Sequence, residues 1–148
     1  MTRRSGVTLI EMMIVVTIIA LMTGVAYPSI VSGLASVRLT SAAGEVSSFL
    51  TSSMNRVERH EQAAAIVIFP KENRMARYTV SDVPDEVLEL PAGVMFEGEE
   101  ARRIVLQPGG TVPRVEIDLR NEKGSRRAVL VDPVTAVTTV QRLDEVAK

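Results

Sequence analysis

The chain has no cysteine and no tryptophan, a single histidine, and only three phenylalanines and two tyrosines. Without cysteine there is no disulfide framework, no thiol nucleophile and no thiolate metal site. Tyr27, Phe49, Phe69, Tyr78 and Phe96 are too few and too scattered for a platform that stacks bases or sugars. Charge is missing from one long stretch: no charged residue occurs from Met12 to Val37. Apart from Arg3, Arg4 and Glu11, every charge lies from Arg38 onward. A formal net charge of -1 supplies no electrostatic reason to expect nucleic acid as a partner. Internal repeats and low-complexity tails are absent as well. The 148 residues have room for one domain, or for a small domain and an anchor.

What is present divides into two periods. Residues 1–6 form a short basic leader with Arg3 and Arg4. Val7 to Tyr27 is apolar except for Glu11, and as a helix it would span roughly 31 Å, about one bilayer core. Pro28 lacks an N–H and predicts a kink. Beyond it, Ile30, Leu34 and Val37, then Val46, Phe49, Leu50, Met54 and Val57, recur at three- and four-residue spacing, the mark of one apolar helix face. The spacing predicts one long kinked helix from about Val7 to about Arg59, roughly 80 Å if fully helical. From Ala64 onward the period shortens. "AAIVIF", "ARYTV", "RIVLQ", "VEIDL" and "RAVLV" read as strands, separated by turn signals at 70–73, 84–85, 91–93, 108–110 and 121–124. "LRNEKGSRRAVLV" reads as a β-hairpin with a four- or five-residue loop.

The expected class is therefore α+β. A long kinked N-terminal helix, membrane-spanning in its first half, packs on a small antiparallel sheet or β-sandwich of six or seven strands. The expected divisions are a leader at 1–6, a transmembrane helix at 7–28, its amphipathic continuation at 29–60 and a β-rich domain at 61–148.

Three readings of the N-terminal segment compete. One is a secretory signal cut after the small-x-small step Gly24–Ala26, which would release an exported enzyme starting at Tyr27. Another is a twin-arginine export signal built on Arg3 and Arg4. The third is an anchor retained as part of a longer helix. Glu11 argues against the first two, because it interrupts the front of the apolar core, where a charge is costly in lipid.

"SGVTLIEMMIVVTIIALMTGVAYP" resembles the class III signal of type IV prepilins and pseudopilins: a basic leader ending in glycine, a hydrophobic residue, Thr-Leu-Ile-Glu and an apolar helix. Val7 stands where phenylalanine or methionine is more usual. The resemblance implies that a prepilin peptidase cuts between Gly6 and Val7 and methylates the new amino terminus, and that Glu11 becomes the fifth residue of the mature chain. Pro28 falls where many members carry a helix-kinking proline. "RRIVLQPGGTVPRVEIDLRNEKGSRRAVLVDPVTAVTTV" is similar in cadence to the GspH/FimT branch of minor pseudopilins, with "DPVTAVTTVQR" in place of that branch's Thr-Gly-Arg-like step.

The implied role is that of a structural subunit and not an enzyme: a minor pseudopilin of a type II secretion pseudopilus, without catalytic residues or cofactor. It would sit in the bacterial inner membrane with its C-terminal domain in the periplasm. Its partners would be the prepilin peptidase, other pseudopilins and the inner-membrane assembly platform. Arg3 and Arg4 on the cytoplasmic side agree with the positive-inside rule. The alternative is a FimT-like minor type IV pilin serving pilus assembly or DNA uptake. DNA binding would draw on Arg102, Arg103, Arg126, Arg127 and Arg142. Losing Arg3 and Arg4 on cleavage changes 17 basic against 18 acidic residues to 15 against 18, which does not favour nucleic acid.

The remaining candidates have plain explanations. His60 in "RVERHEQ" reads as a solvated helix-terminal residue, since no serine or carboxylate set converges on it. Glu97, Glu99 and Glu100 read as a solvated turn without the spacing of a Ca²⁺ loop, so no metal site is expected. Gly109 and Gly110 lack the lysine and helix start of a phosphate loop and read as a turn.

Overall fold

The structure, a computed structural model, describes residues 8–143, and within its helix the side chains of 25–32 fall outside the description. The leader, Gly6 and Val7 therefore lie outside the described residues, as does the Pro28 side chain on which the expected kink rests. The elements are a helix, α1 (Leu9–His60), and eight strands: β1 (Ala64–Phe69), β2 (Arg74–Tyr78), β3 (Glu86–Glu89), β4 (Val94–Phe96), β5 (Arg102–Leu106), β6 (Val115–Asn121), β7 (Arg126–Val131) and β8 (Thr138–Arg142).

The strands form two four-stranded antiparallel sheets, ordered β3-β2-β1-β5 and β4-β6-β7-β8. The chain alternates between them. After β3 it crosses to the second sheet for β4, returns to the first for β5 at the far side of β1, and then completes the second with β6 to β8. The α+β expectation holds, with eight strands where six or seven were expected. β3 and β8 escape the sequence reading because they are short edge strands of mixed polarity, and β4 because it is an edge strand of only three residues.

Chain contacts divide the protein into two compact units, residues 1–34 and 35–148. In the second unit Leu39, Ala42, Ala43, Val46, Phe49, Leu50 and Val57 of α1 join Ile66, Ile68 and Met75 of the first sheet and Ile117, Leu119 and Val129 of the second in one hydrophobic core. One expectation is corrected here. Leu34 and Val37 are 52% and 65% exposed, and the buried stripe starts at Leu39. Helix geometry explains the Val37 error: it lies about 180° around the axis from Val46, whereas Leu39 lies within about 20°. Three- and four-residue spacing had been extended across a break in phase.

Local polar contacts fix the loops. Asn73, at φ 53°, caps a single 3-10 turn (Pro70–Glu72) in the left-handed conformation that asparagine tolerates better than most residues. Its Nδ2 donates to the Val94 carbonyl at 2.7 Å and its Oδ1 accepts from the Phe96 N–H at 3.2 Å, joining the first sheet's hairpin to β4 of the second. In the β6–β7 hairpin, Asn121 Oδ1 accepts from the Lys123 and Ser125 N–H groups, and Gly124 takes a φ of 85°. The four-residue loop 122–125 agrees with the sequence reading. Ser47 and Thr51 of α1 engage the Thr138 hydroxyl at 2.6 and 3.0 Å, tying the edge strand β8 to the helix.

Candidate functional site

The start of α1 is built by a cap. The Glu11 N–H donates to Thr8 Oγ1 at 3.3 Å, and the Met12 N–H donates to the Thr8 carbonyl at 3.3 Å. The Met12 bond is the first regular i→i−4 bond of the helix, while the Thr8 hydroxyl satisfies the Glu11 N–H, which has no acceptor within the first turn. Thr8 and Glu11 stand in the Thr-x-x-Glu spacing of a capping box. The same two residues belong to the Thr-Leu-Ile-Glu step of the sequence. Glu11 lies in the first turn, where the positive end of the helix dipole favours a carboxylate by roughly 0.3–1 kcal/mol when exposed. Glu11 is exposed and has no ion-pair partner among the described residues.

The surface around and beyond Glu11 is apolar on every side. Eleven large hydrophobic residues from Leu9 to Met22 are each at least 44% exposed, with Leu9 at 79% and Met22 at 69%. An all-round apolar helix needs lipid or protein to cover it. The two hydroxyls beside this surface are turned inward. Thr17 Oγ1 donates to the Met13 carbonyl at 2.7 Å and Thr23 Oγ1 to the Ile19 carbonyl at 2.8 Å. Each therefore presents a methyl group while its O–H is satisfied within the helix. Among the described residues, no helix is long and apolar enough to cross a membrane. The described side chains of this half end at Gly24, while the apolar run in the sequence continues to Tyr27.

The basic pairs do not form a single patch. Neighbouring residues on a strand face opposite ways, so each pair is split. Arg103 lies opposite Val67 and lines a depression of about 260 Å³ with Phe69 and Tyr78. Arg102 Nη1 donates to the Glu116 carbonyl at 2.9 Å, and Arg126 forms an ion pair with Glu97. Arg127 pairs across the ladder with Arg142. Arg102 and Arg126 both act on Asp118, together with the carboxylates of Glu116 and Glu97. Burial pushes the Asp118 carboxyl above its usual range. Glu116 and Glu97 add to the shift and the two arginines oppose it. Asp118 Oδ1 has no hydrogen-bond partner among the described residues. The arginines at this face therefore stand among carboxylates.

His60 is exposed at the end of α1. Glu99 and Glu100 are exposed in a turn, and no group of His, Asp or Glu among the described residues could hold a metal ion. The Gly109 N–H donates to Glu58 Oε1 at 3.1 Å, and the Gly110 N–H closes a turn on the Gln107 carbonyl. Arg77 had drawn no attention in the sequence, yet it is 4% exposed and paired to Glu86 at 2.9 Å. Within "ARYTV" nothing marks an arginine that faces a helix instead of solvent.

The helix opens on Thr-Leu-Ile-Glu, and from Met12 to Met22 it exposes large apolar side chains with Thr17 as the one hydroxyl between them. Residues 1–27 match the family model described as the prokaryotic N-terminal methylation motif. That match supports a type IV pilin-like protein. No curated protein and no solved structure matches the chain significantly.

Proposed function

We propose that this chain is a minor pseudopilin of the GspH/FimT type, a structural subunit of a type II secretion pseudopilus. A single-pass anchor would hold it in the inner membrane with the β-rich unit in the periplasm. Prepilin peptidase would cut between Gly6 and Val7 and methylate the Val7 amino group. The mature subunit would then leave the bilayer, with the assembly platform, for a bundle of pseudopilin helices.

The observation that carries this reading is the bare apolar helix with one charge near its front, inside a matched methylation motif. Cleavage would create a positive α-amino group four residues before Glu11. In lipid each charge is costly alone, by roughly 2.5 kcal/mol or more at mid-bilayer and less near the interface. In a bundle the amino group of one subunit can lie against Glu11 of its neighbour, which lowers the desolvation cost of both. Glu11 thereby favours assembly and sets axial register. The mixed-charge surroundings of Arg102 and Arg126 favour this structural role over DNA binding.

Glu11→Ala tests the mechanism. The variant should reach the membrane at the wild-type level and be cleaved, while its incorporation into filaments falls at least about tenfold, the factor that 1.4 kcal/mol of lost pairing produces. Normal incorporation would rule out the pairing mechanism.

A further inference from the structure

The last two turns of α1 expose Arg56, Arg59 and His60. With Arg77 of β2 and Glu86 of β3 they line a depression of about 350 Å³. Its floor is a built feature. Arg77, 4% exposed, donates from Nη1 to Ser53 Oγ at 3.3 Å and forms the ion pair with Glu86, while its Nε has no acceptor among the described residues. Arg56, Arg59 and His60 make no hydrogen bond or ion pair among the described residues. Three guanidiniums and an imidazole thus face one carboxylate. Glu58, on the same turn, is engaged by the Gly109 N–H, and Glu61 lies past the helix end outside the depression. The negative end of the helix offsets about half a charge. A net positive charge of roughly one and a half therefore remains in a concave site.

We propose that this depression binds the carboxylates of an acidic peptide segment, and that the segment is the Glu97–Glu100 turn of a second copy of this chain. Planar guanidiniums recognise carboxylates through paired, charge-assisted hydrogen bonds. The turn has the complementary charge: Glu99 and Glu100 are exposed, and Glu97 is anchored by Arg126. A chain cannot satisfy its own depression. Arg77 lies opposite Ile66 near the start of β1, whereas Glu99 and Glu100 border Phe69 and Pro70 beyond its end, more than about 10 Å of strand away. Opposite charges at the two ends of one sheet suit a head-to-tail contact between copies. The chemistry of the depression is independent of the proposed function. The second copy as occupant rests on it and on two copies of this chain being adjacent in the bundle, where neighbours are held at high local concentration.

The test titrates the full chain, in non-ionic detergent micelles at low salt, with a peptide of residues 96–101. Saturable binding is expected that weakens about tenfold in the Arg56→Gln/Arg59→Gln variant, whose altered positions are exposed and leave the core untouched. It should vanish when Glu97, Glu99 and Glu100 of a C-terminally amidated peptide are all glutamine. No saturable binding, an unchanged affinity in the variant, or binding of inorganic phosphate without peptide would each overturn the proposal. The natural lack of cysteine allows a second arm in cells. Chains carrying Asn55→Cys and chains carrying Ala101→Cys should form a mixed disulfide that is lost with Arg56→Gln/Arg59→Gln. Peptide binding without that disulfide overturns the second copy as occupant. A chain that binds peptide but is left unprocessed by an active peptidase overturns the proposed function and leaves the depression's chemistry standing.

Discussion

Arg77 and Glu86 give opposite answers to the same deletion. Arg77 is buried and Glu86 has 46% of its side chain exposed, so the cost of holding a charge out of water falls almost entirely on the arginine. Glu86→Gln would leave that charge with neutral acceptors alone, the glutamine carbonyl oxygen and Ser53 Oγ at 3.3 Å. Removing one member of a fully buried pair costs about 3–5 kcal/mol, and the half-exposed carboxylate reduces this to roughly 1–3 kcal/mol through solvent screening. Arg77→Met removes the buried charge and the partnerless Nε together while keeping an apolar stem, and should change stability by less than about 1 kcal/mol. Urea unfolding of the full chain in micelles, followed by circular dichroism, reads the difference. With a slope of about 1–3 kcal/mol per molar, Glu86→Gln should lower the midpoint by roughly 1 M while Arg77→Met scarcely moves it. In the Arg77→Met background, Glu86→Gln should add almost nothing. Destabilisation by Arg77→Met equal to that by Glu86→Gln would refute the reasoning.

Two other substitutions test the packing and the electrostatics. Leu39→Ala, at a position 1% exposed, should cost about 2–5 kcal/mol, and Val37→Ala, 65% exposed, within about 0.5 kcal/mol in the same unfolding assay; equal losses would show that the helix phase is wrong. Asp118→Asn should stabilise the protein at pH 7 by at most about 1 kcal/mol, since it removes the charge from a partly buried group whose Oδ1 has no partner among the described residues. The sign follows from the raised carboxyl: the native state holds the proton more tightly than the unfolded one, so stability falls as pH rises through the raised value. The advantage of asparagine should therefore shrink as pH is lowered below the usual carboxylate range, and an advantage that grows with acid would contradict the assignment.

Much of this was legible because period and composition speak directly. The runs at 64–69, 103–107, 115–119 and 127–131 have ends within two residues of those of β1, β5, β6 and β7, since alternating or continuously apolar β-branched stretches between turn residues leave little choice. β8 stayed hidden because Thr138–Arg142 is an exposed edge strand with only its first residue turned to the helix. The helix face was half legible. Val46, Phe49, Leu50 and Val57 were found, while Ala42 and Ala43 were passed over because alanine is a weak hydrophobic signal. At the N terminus the methylation motif was legible in the sequence, and Thr-x-x-Glu within it also spells the Thr8 cap. The basic depression was invisible, because it joins Arg56 and Arg59 of the helix to Arg77 and Glu86 of two strands, and only the fold brings them together.

The proposal that the apolar helix begins as a processed and methylated pilin-type terminus stands or falls on the intact N-terminal mass of the protein from cells with an active prepilin peptidase. The expected chain starts at Val7 and carries one additional methyl group on its amino nitrogen. A chain that still starts at Met1, or one that starts at Tyr27 as an exported enzyme would, contradicts it.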